Sequence, residues 1–278
     1  MRHIALPDGT RVAAIGQGSW RMGEGQRSPA EETAALRLGI DLGMTLIDTA
    51  EMYGEGSAEQ VVGEAIAGQR DRVFVVTKVY PHNASAKGVP AACARSLQRL
   101  RTDHIDLYLL HWRGGTPLAE TVQAFEKLRK AGKIRAWGVS NLDPGDMAEL
   151  VGVPAGQNCA VNQVLYNPEH RGIEFDLLPW QAQRHMPVMA YSPVGQGGRL
   201  LRNPTLAAVA KRHNSTPAQI ALAWGLRHPN FIAIPKAADP THVRANAAAG
   251  DILLTPQDLT EIDAAYPPPK RATSLAML

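Results

Sequence analysis

The chain has 278 residues, of which 45% are hydrophobic and 20% are charged. Its 29 lysines and arginines against 26 aspartates and glutamates give a net charge of +3, without the runs of like charge that nucleic-acid-binding segments show. Two cysteines are too few for a disulfide framework, and no stretch approaches the roughly 18 apolar residues of a membrane helix. Composition therefore predicts a soluble cytoplasmic protein that binds neither nucleic acid nor membrane.

The predicted elements begin with a β-hairpin, in which His3–Leu6 and Arg11–Ala14 flank an Asp-Gly turn. Short apolar runs then alternate with longer stretches of helical pattern. The predicted strands are Ile15–Ser19, Thr45–Asp48, Val73–Lys78, Asp106–His111, Ile134–Ser140, Ala160–Gln163, Pro187–Tyr191 and Phe231–Lys236. The predicted helices are Ala30–Leu42, Glu59–Ala67, Ala91–Leu100, Leu118–Ala131, Asp146–Leu150, Asp176–Arg184 and Pro240–Ala249, with two more helical segments between Tyr191 and Lys236.

Eight alternating strands and helices are typical of a parallel sheet that closes into a (β/α)8 TIM barrel. No linker interrupts the alternation, so a single domain over residues 1–278 is expected. A doubly wound open sheet is the alternative fold, but the chain lacks the G-x-G-x-x-G fingerprint of that class. The proline-rich tail from Pro267 to Leu278 cannot continue a helix and is expected to wrap over the body or the mouth of the barrel.

Polar side chains end most of the predicted strands, and a barrel gathers the carboxyl ends of its strands around one mouth. Asp48, Lys78 and His111 end three successive strands. Adjacent strands lie about 5 Å apart, so these three side chains can meet above one edge of the barrel. Tyr53 follows in the next loop and can lean over the same point.

These four residue types suit the protonation of an oxygen. A lysine ammonium beside a tyrosine stabilises the phenolate and lowers the phenol pKa from about 10. A carboxylate can hold the lysine, and a neutral histidine can donate a further hydrogen bond to a polarised oxygen. A buried Asp–Lys pair or a lone histidine is also common as a structural feature, but four such residues at successive strand ends indicate the reduction of a carbonyl by hydride transfer.

Several motifs carry a family resemblance: DTAEMYG, VVTKVY, LYLLHW, GVSN, NQVLYN, AYSP and IPK. Along essentially its whole length the chain resembles the aldo-keto reductases, most closely a bacterial subgroup that reduces methylglyoxal. The resemblance implies a (β/α)8 barrel that binds an extended nicotinamide cofactor without a Rossmann domain. By position it implies that Tyr53 is the general acid, that Lys78 lowers the Tyr53 pKa, that Asp48 supports Lys78, and that His111 orients the carbonyl.

The resemblance also implies a cofactor groove, in which three residues bind the nicotinamide carboxamide and one aromatic residue stacks on the ring. Two residues then cover the pyrophosphate, and two bind the adenosine end. In that order the residues are Ser140, Asn141, Gln163, Tyr191, Ser192, Val194, Lys236 and Asn246. A core aromatic role for Tyr191 and a strand-end cap role for Ser140 are the structural alternatives.

The adenosine end departs from the family pattern. Members that prefer NADPH commonly have a serine after the lysine, then an arginine and a glutamate, where this chain has Ala237, His242 and Ala245. Lys236 remains, and a protonated His242 or an inward-turned Arg244 can assist it at the 2′-phosphate. NADPH is therefore the expected cofactor, with NADH as the alternative. Its affinity is expected to fall as the pH rises past the ordinary histidine pKa of about 6.5.

The substrate implied by the resemblance is a small carbonyl compound such as methylglyoxal or another 2-oxoaldehyde, which points to aldehyde detoxification. Trp20 and Trp112, with Met22 and Tyr80, are candidates for the pocket wall, since each lies just beyond a strand end; simple packing at the rim is the alternative. No metal site is predicted, and a monomer is expected.

Two other functions compete with the reductase. A Schiff-base barrel enzyme would use Lys78 or Lys236 as its nucleophile. A non-catalytic relative would bind the cofactor and act as an interaction module, which the fold alone does not exclude. Tyr53 and Tyr191 argue against the Schiff-base enzyme, and the complete set of four candidate catalytic residues argues against the non-catalytic module.

Overall fold

The computed structural model describes residues 1–278. The predicted hairpin is present as two antiparallel strands, β1 (His3–Ala5) and β2 (Arg11–Ala13). Eight parallel strands follow, and each pairs with the next one along the chain. They are β3 (Gln17–Gly18), β4 (Leu46–Asp48), β5 (Phe74–Val79), β6 (Ile105–Leu110), β7 (Ile134–Ser140), β8 (Asn162–Leu165), β9 (Val188–Tyr191) and β10 (Phe231–Ala233).

The first and last strands of this sheet also meet. Parallel bridges join Ile15 to Ala233 and Gly18 to Lys236, and the backbone N–H of Gly16 donates to the carbonyl of Ala233 at 2.8 Å. The predicted (β/α)8 barrel with an N-terminal hairpin is therefore confirmed. The predicted last strand was too long, because regular pairing stops at Ala233 and only isolated contacts continue past it.

Ten helices surround the sheet. They are α1 (Pro29–Asp41), α2 (Ser57–Ile66), α3 (Gly88–Leu100), α4 (Leu118–Lys130), α5 (Pro144–Gly152), α6 (Leu177–Ala182), α7 (Pro204–Arg212), α8 (Pro217–Gly225), α9 (Pro240–Ala248) and α10 (Pro256–Ala265). Six of them start with proline at the first position after a capping side chain, where its missing N–H costs nothing. The sequence analysis found all of them except α10.

The hairpin closes the amino-terminal end of the barrel. Ile4, Leu6 and Val12 pack in one buried cluster with inward-facing strand residues such as Leu107. Arg2 fixes this end by donating to two backbone carbonyls in the segment before β10, each at 2.8 Å. The larger apolar core lies between the sheet and the helices. Only the carboxyl ends of the strands are thus left to form an open site.

None of the ten helices combines the length and the apolar character that crossing a lipid bilayer requires.

Candidate active site

A buried ion pair lies where β4 and β5 reach the mouth of the barrel. Lys78 is fully buried and Asp48 is 2% exposed. The Lys78 ammonium donates to Oδ1 and Oδ2 of Asp48 at 2.8 and 2.7 Å, and to the carbonyl of Thr49 at 2.8 Å. Removing either partner would leave an uncompensated charge in the interior, so the pair is fixed in place.

Tyr53 lies directly over this pair. Its hydroxyl is 3.3 Å from Nζ of Lys78, and the ammonium lies 4.9 Å from the centre of its ring. The chain can return to α2 because Gly54, Glu55 and Gly56 all have positive φ angles, a conformation that glycine adopts at little cost. A Cβ on Gly54 would collide with Oγ of Ser57. Gly54 therefore helps to position the Tyr53 phenol over Lys78.

The Tyr53 hydroxyl is held in its protonated form. Burial raises the pKa of Tyr53 well above its ordinary value, and the negative charge of Asp48 raises it further. The lowering expected from Lys78 is outweighed by burial and by the Asp48 charge. Burial likewise raises the pKa of Asp48 and lowers the pKa of Lys78, and each partner opposes the shift of the other.

His111 completes the predicted group of four. It follows β6, where its backbone N–H donates to the carbonyl of Val79 at 3.0 Å. Its ring lies edge-on to Tyr53, with 5.8 Å between the ring centres. Burial and the nearby Lys78 charge lower the pKa of His111 to about 2, so the imidazole is neutral throughout the physiological range. Its Nδ1 is buried without a hydrogen-bond partner.

Amide and hydroxyl groups line the mouth beside this group. Gln163 donates from Nε2 to Oδ1 of Asp48 at 2.7 Å, and its backbone carbonyl accepts from the Ser140 hydroxyl at 2.7 Å. Asn141 donates to the carbonyl of His111, and its Oδ1 accepts from the Tyr191 hydroxyl at 3.0 Å. The structure thus brings together the residues that the sequence assigned to the nicotinamide end.

The loop after β9 begins in a strained conformation. Ser192 has a φ angle of 47° and Asn141 one of 57°, a left-handed region that residues other than glycine rarely adopt. The carbonyl of Ser192 accepts a hydrogen bond from Nδ2 of Asn167 at 2.9 Å, while Val194 packs against the main core. Backbone strain of this kind is concentrated at functional sites.

The other end of the groove is more exposed. Lys236 is half-buried, and burial lowers its pKa. Asn246 is 7% exposed on α9, whereas His242 and Arg244 on the same helix are exposed to solvent. No rigid hydrogen-bond network comparable to that around Lys78 holds these side chains.

An aromatic wall rises beside His111. The Trp112 ring lies 4.8 Å from the His111 ring and 5.9 Å from the Tyr80 ring. Trp20 is half-buried, and the Arg21 guanidinium lies 4.4 Å above its ring. The prediction for Met22 is wrong, because the chain turns back at Arg21, which has a φ of 64°, and Met22 is fully buried in the main core.

Glu51 is a site residue that the sequence analysis did not single out. It is 7% exposed, and its Oε1 accepts from the backbone N–H of Tyr80 at 2.9 Å and from Nδ2 of Asn83 at 3.0 Å. Arg95 contacts its other oxygen at 3.3 Å. Glu51 thereby joins the loop that carries Tyr53 to the loop after β5. A charged residue inside the DTAEMYG string was the available signal.

The C-terminal tail lies against the carboxyl end of the barrel. Thr273 to Ala276 line a small cavity together with Pro144 at the start of α5 and with residues of the loop after β8, including His170. Leu275 packs against the main core, and the backbone of Leu278 lies beside the Tyr191 hydroxyl. The tail therefore borders the mouth that the candidate residues surround.

The chain is similar to known proteins over nearly its whole length. Residues 14–267 match the model of the Aldo/keto reductase family. The chain is 55% identical over 271 residues to the methylglyoxal reductase YeaE of Escherichia coli (strain K12), covering 96% of this chain and 95% of that protein. Two crystal structures of an aldo-keto reductase from Klebsiella pneumoniae are 52% identical and cover all of this chain. The match covers 100% of the solved chain in the complex with NADP and acetate, with a TM-score of 0.97. It covers 99% of the solved chain in the NADPH complex, with a TM-score of 0.98.

The chain belongs to the aldo-keto reductase family, and the predicted family and oxidoreductase class are confirmed.

Proposed function

We propose that this protein is an NADPH-dependent reductase of aldehydes and ketones in which Tyr53 protonates the developing alkoxide. The observation that carries the proposal is the contact between Lys78, Asp48 and Tyr53. One ammonium group bonds both carboxylate oxygens of Asp48 and lies 3.3 Å from the phenol oxygen. Such a buried, prearranged group stabilises charge where it develops during a reaction.

The protonation states in the site suit an acid. NADPH, when bound, supplies the hydride that reduces the carbonyl carbon. The high pKa of Tyr53 keeps its proton in place until the substrate oxygen becomes basic enough to accept it. Lys78 then lies close enough to stabilise the phenolate that remains. His111 stays neutral and is placed to donate a hydrogen bond to the carbonyl oxygen and orient it.

The donor set at the mouth fits a nicotinamide carboxamide and ring. Gln163 uses Nε2 on Asp48 and on Sδ of Met189, which leaves its Oε1 to accept from an amide N–H. Ser140 and Asn141 supply a hydroxyl and an amide beside it, and the half-buried Tyr191 ring offers a stacking face. The relatives from Klebsiella pneumoniae that share the fold were solved with NADP and NADPH.

The remaining groove residues would take the cofactor-binding roles that the family resemblance implies. Ser192 and Val194 would cover the pyrophosphate, and Lys236 with Asn246 would hold the adenosine end. His242 would add a positive charge at the 2′-phosphate when it is protonated. Charged groups exposed in this way contribute little each and are screened by salt, so NADPH preference is expected to be moderate.

Small 2-oxoaldehydes, methylglyoxal among them, are the substrate class that we propose. Trp112 and Trp20 would form the pocket wall next to His111, an aromatic surface that suits small carbonyl compounds of limited polarity. The 55% identity to a named methylglyoxal reductase supports the same class. Pockets of this kind discriminate mainly by shape, so a broad range of aldehydes is expected.

The direct test is the loss of reduced-nicotinamide absorbance with methylglyoxal, measured with NADPH and with NADH in parallel. Turnover with NADPH, at a higher kcat/KM than with NADH, is the expected result. Comparable turnover with both would show that Ala237, His242 and Ala245 have relaxed the choice of cofactor. No turnover with a panel of aldehydes, despite measurable cofactor binding, would contradict the reductase proposal.

A further inference from the structure

We propose that Arg27, in the loop between β3 and α1, binds the 2′-phosphate of NADPH and supplies a guanidinium in place of the arginine that position 242 lacks. The inference rests on the proposed function, since it concerns the adenosine end of the same groove. Arg27 lies outside the segment after the last strand and would help to select the cofactor. Within that segment, Ala237, His242 and Ala245 provide no permanent positive charge.

The barrel closure places this loop beside Lys236. Gly18 at the end of β3 is bridged in parallel to Lys236, so the loop after β3 starts at the adenosine end of the groove. Its far end returns to the same place. Nη2 of Arg27 contacts Oδ2 of Asp239 at 3.2 Å, and Asp239 is three residues beyond Lys236. The guanidinium therefore lies at the start of α9, the helix that carries Asn246.

Charge effects agree with this placement. The positive charge of Arg27 lowers the pKa of Lys236, as does that of Arg21, while Glu32 and Glu24 act in the opposite direction. Arg27 therefore lies within electrostatic range of Lys236. A phosphate bound between the two side chains would be attracted by both positive charges.

Arg27 is bound loosely enough to change partner. Its side chain is 39% exposed, and that of Asp239 is 38% exposed, so their contact is a weak surface ion pair. The second contact of Arg27, to Glu31, is 4.0 Å long. A phosphate dianion is a stronger partner for a planar guanidinium than one carboxylate, because it offers more oxygens and more charge. Arg27 can therefore exchange Asp239 for the phosphate.

The test compares three variants by equilibrium binding of NADPH and NADH, followed by quenching of protein fluorescence. Arg27→Gln should raise the Kd of NADPH about tenfold, the size expected for one charge-assisted contact, and leave the Kd of NADH unchanged. Arg72→Gln is the matched control, since it also breaks an exposed Arg–Asp pair, 3.1 Å long, but at the opposite end of the barrel. It should change neither constant.

Asp239→Asn tests the exchange of partners from the other side. The asparagine can still cap α9 at Thr241, whose backbone N–H bonds Oδ1 of Asp239, but it no longer competes for Arg27. NADPH should bind more tightly to this variant, with NADH unchanged.

The outcomes separate the two proposals. An Arg27→Gln variant with wild-type NADPH affinity, or one that loses NADPH and NADH equally, overturns the assignment of Arg27. A wild-type protein that binds neither cofactor overturns the proposed function itself. The fragments 2′,5′-ADP and 5′-ADP test the 2′-phosphate contact without the nicotinamide end. Arg27→Gln should raise the Kd of 2′,5′-ADP and leave the Kd of 5′-ADP unchanged.

Discussion

The two ends of the proposed cofactor groove are built in different ways. At the nicotinamide end, Lys78 is fully buried and makes three contacts of 2.7 to 2.8 Å, so its position does not depend on a ligand. At the adenosine end, Arg27 is 39% exposed and holds Asp239 at 3.2 Å. The buried end is suited to chemistry, which needs fixed geometry, and the exposed end to selecting a cofactor, which tolerates weaker and replaceable contacts.

The difference also explains why the two ends vary to different extents from the family pattern. A buried ion pair leaves an uncompensated charge when one partner is replaced, whereas an exposed cation can be lost from one segment and supplied by another. The structure has all four expected side chains at the buried end. At the exposed end it has Ala237, His242 and Ala245 in place of the usual residues, with Arg27 close by.

The largest expected effect comes from breaking the buried end. Lys78→Met removes the cation beside Tyr53 and leaves Asp48 without its partner. We expect kcat to fall by about 10²- to 10⁴-fold, the range typical of general acid–base groups, and the free energy of unfolding to fall by about 3–5 kcal/mol. Steady-state kinetics and urea unfolding check both values. Arg72→Gln serves as the control, and a Lys78→Met variant with near wild-type kcat would contradict the role of this lysine.

His111 makes the buried end sensitive to acid. Its pKa in the folded protein is about 2, against about 6.5 when unfolded, so the unfolded chain binds the extra proton first. The stability that depends on the neutral imidazole is fully present above pH 6.5 and is lost as the pH falls below it. Between pH 6.5 and 5 this loss is about 2 kcal/mol.

The check on His111 is chemical unfolding at several pH values. Wild type and His111→Gln should differ in the slope of stability against pH below 6.5, with the flatter slope in the variant. Equal slopes would show that His111 is not held in its neutral form.

Much of the barrel and its site was predictable from the sequence, because the spacing of apolar residues and the polar residues at strand ends are local features of the chain. The pattern located the strands, and Asp48, Lys78 and His111 came together as adjacent strand ends require. The position of Met22 was not predictable, since it depends on one left-handed residue, Arg21, that turns the chain inward. The direction of the Tyr53 pKa shift also needed the structure, because it depends on burial and on the nearby Asp48 charge.

A smaller effect is expected at the turn that places Tyr53. Gly54→Ala puts a Cβ against Oγ of Ser57 and requires a positive φ angle of a residue that disfavours it. We expect kcat/KM to fall about tenfold, since strain of this kind costs about 1–3 kcal/mol. Gly9→Ala is a suitable control, because Gly9 also has a positive φ but has open space around its Cβ position. If both variants lose the same activity, the collision with Ser57 is not what matters.

The smallest effect is expected from His242 at the exposed end. If its charge assists NADPH binding, the Kd of NADPH should rise about threefold to fivefold from pH 5.5 to 8. The Kd of NADH should stay constant, which controls for other groups that titrate. A flat NADPH affinity in this range would remove His242 from the site and leave Arg27 and Lys236 as the cations there.

The central claim, that Tyr53 is the proton donor in a carbonyl reductase, is tested most directly with Tyr53→Phe. The substitution keeps the ring over Lys78 and removes only the hydroxyl. We expect NADPH to bind with wild-type Kd while single-turnover oxidation of bound NADPH by methylglyoxal slows by at least about 10²-fold. A variant that still oxidises NADPH at a near wild-type rate would show that Tyr53 is not the proton donor.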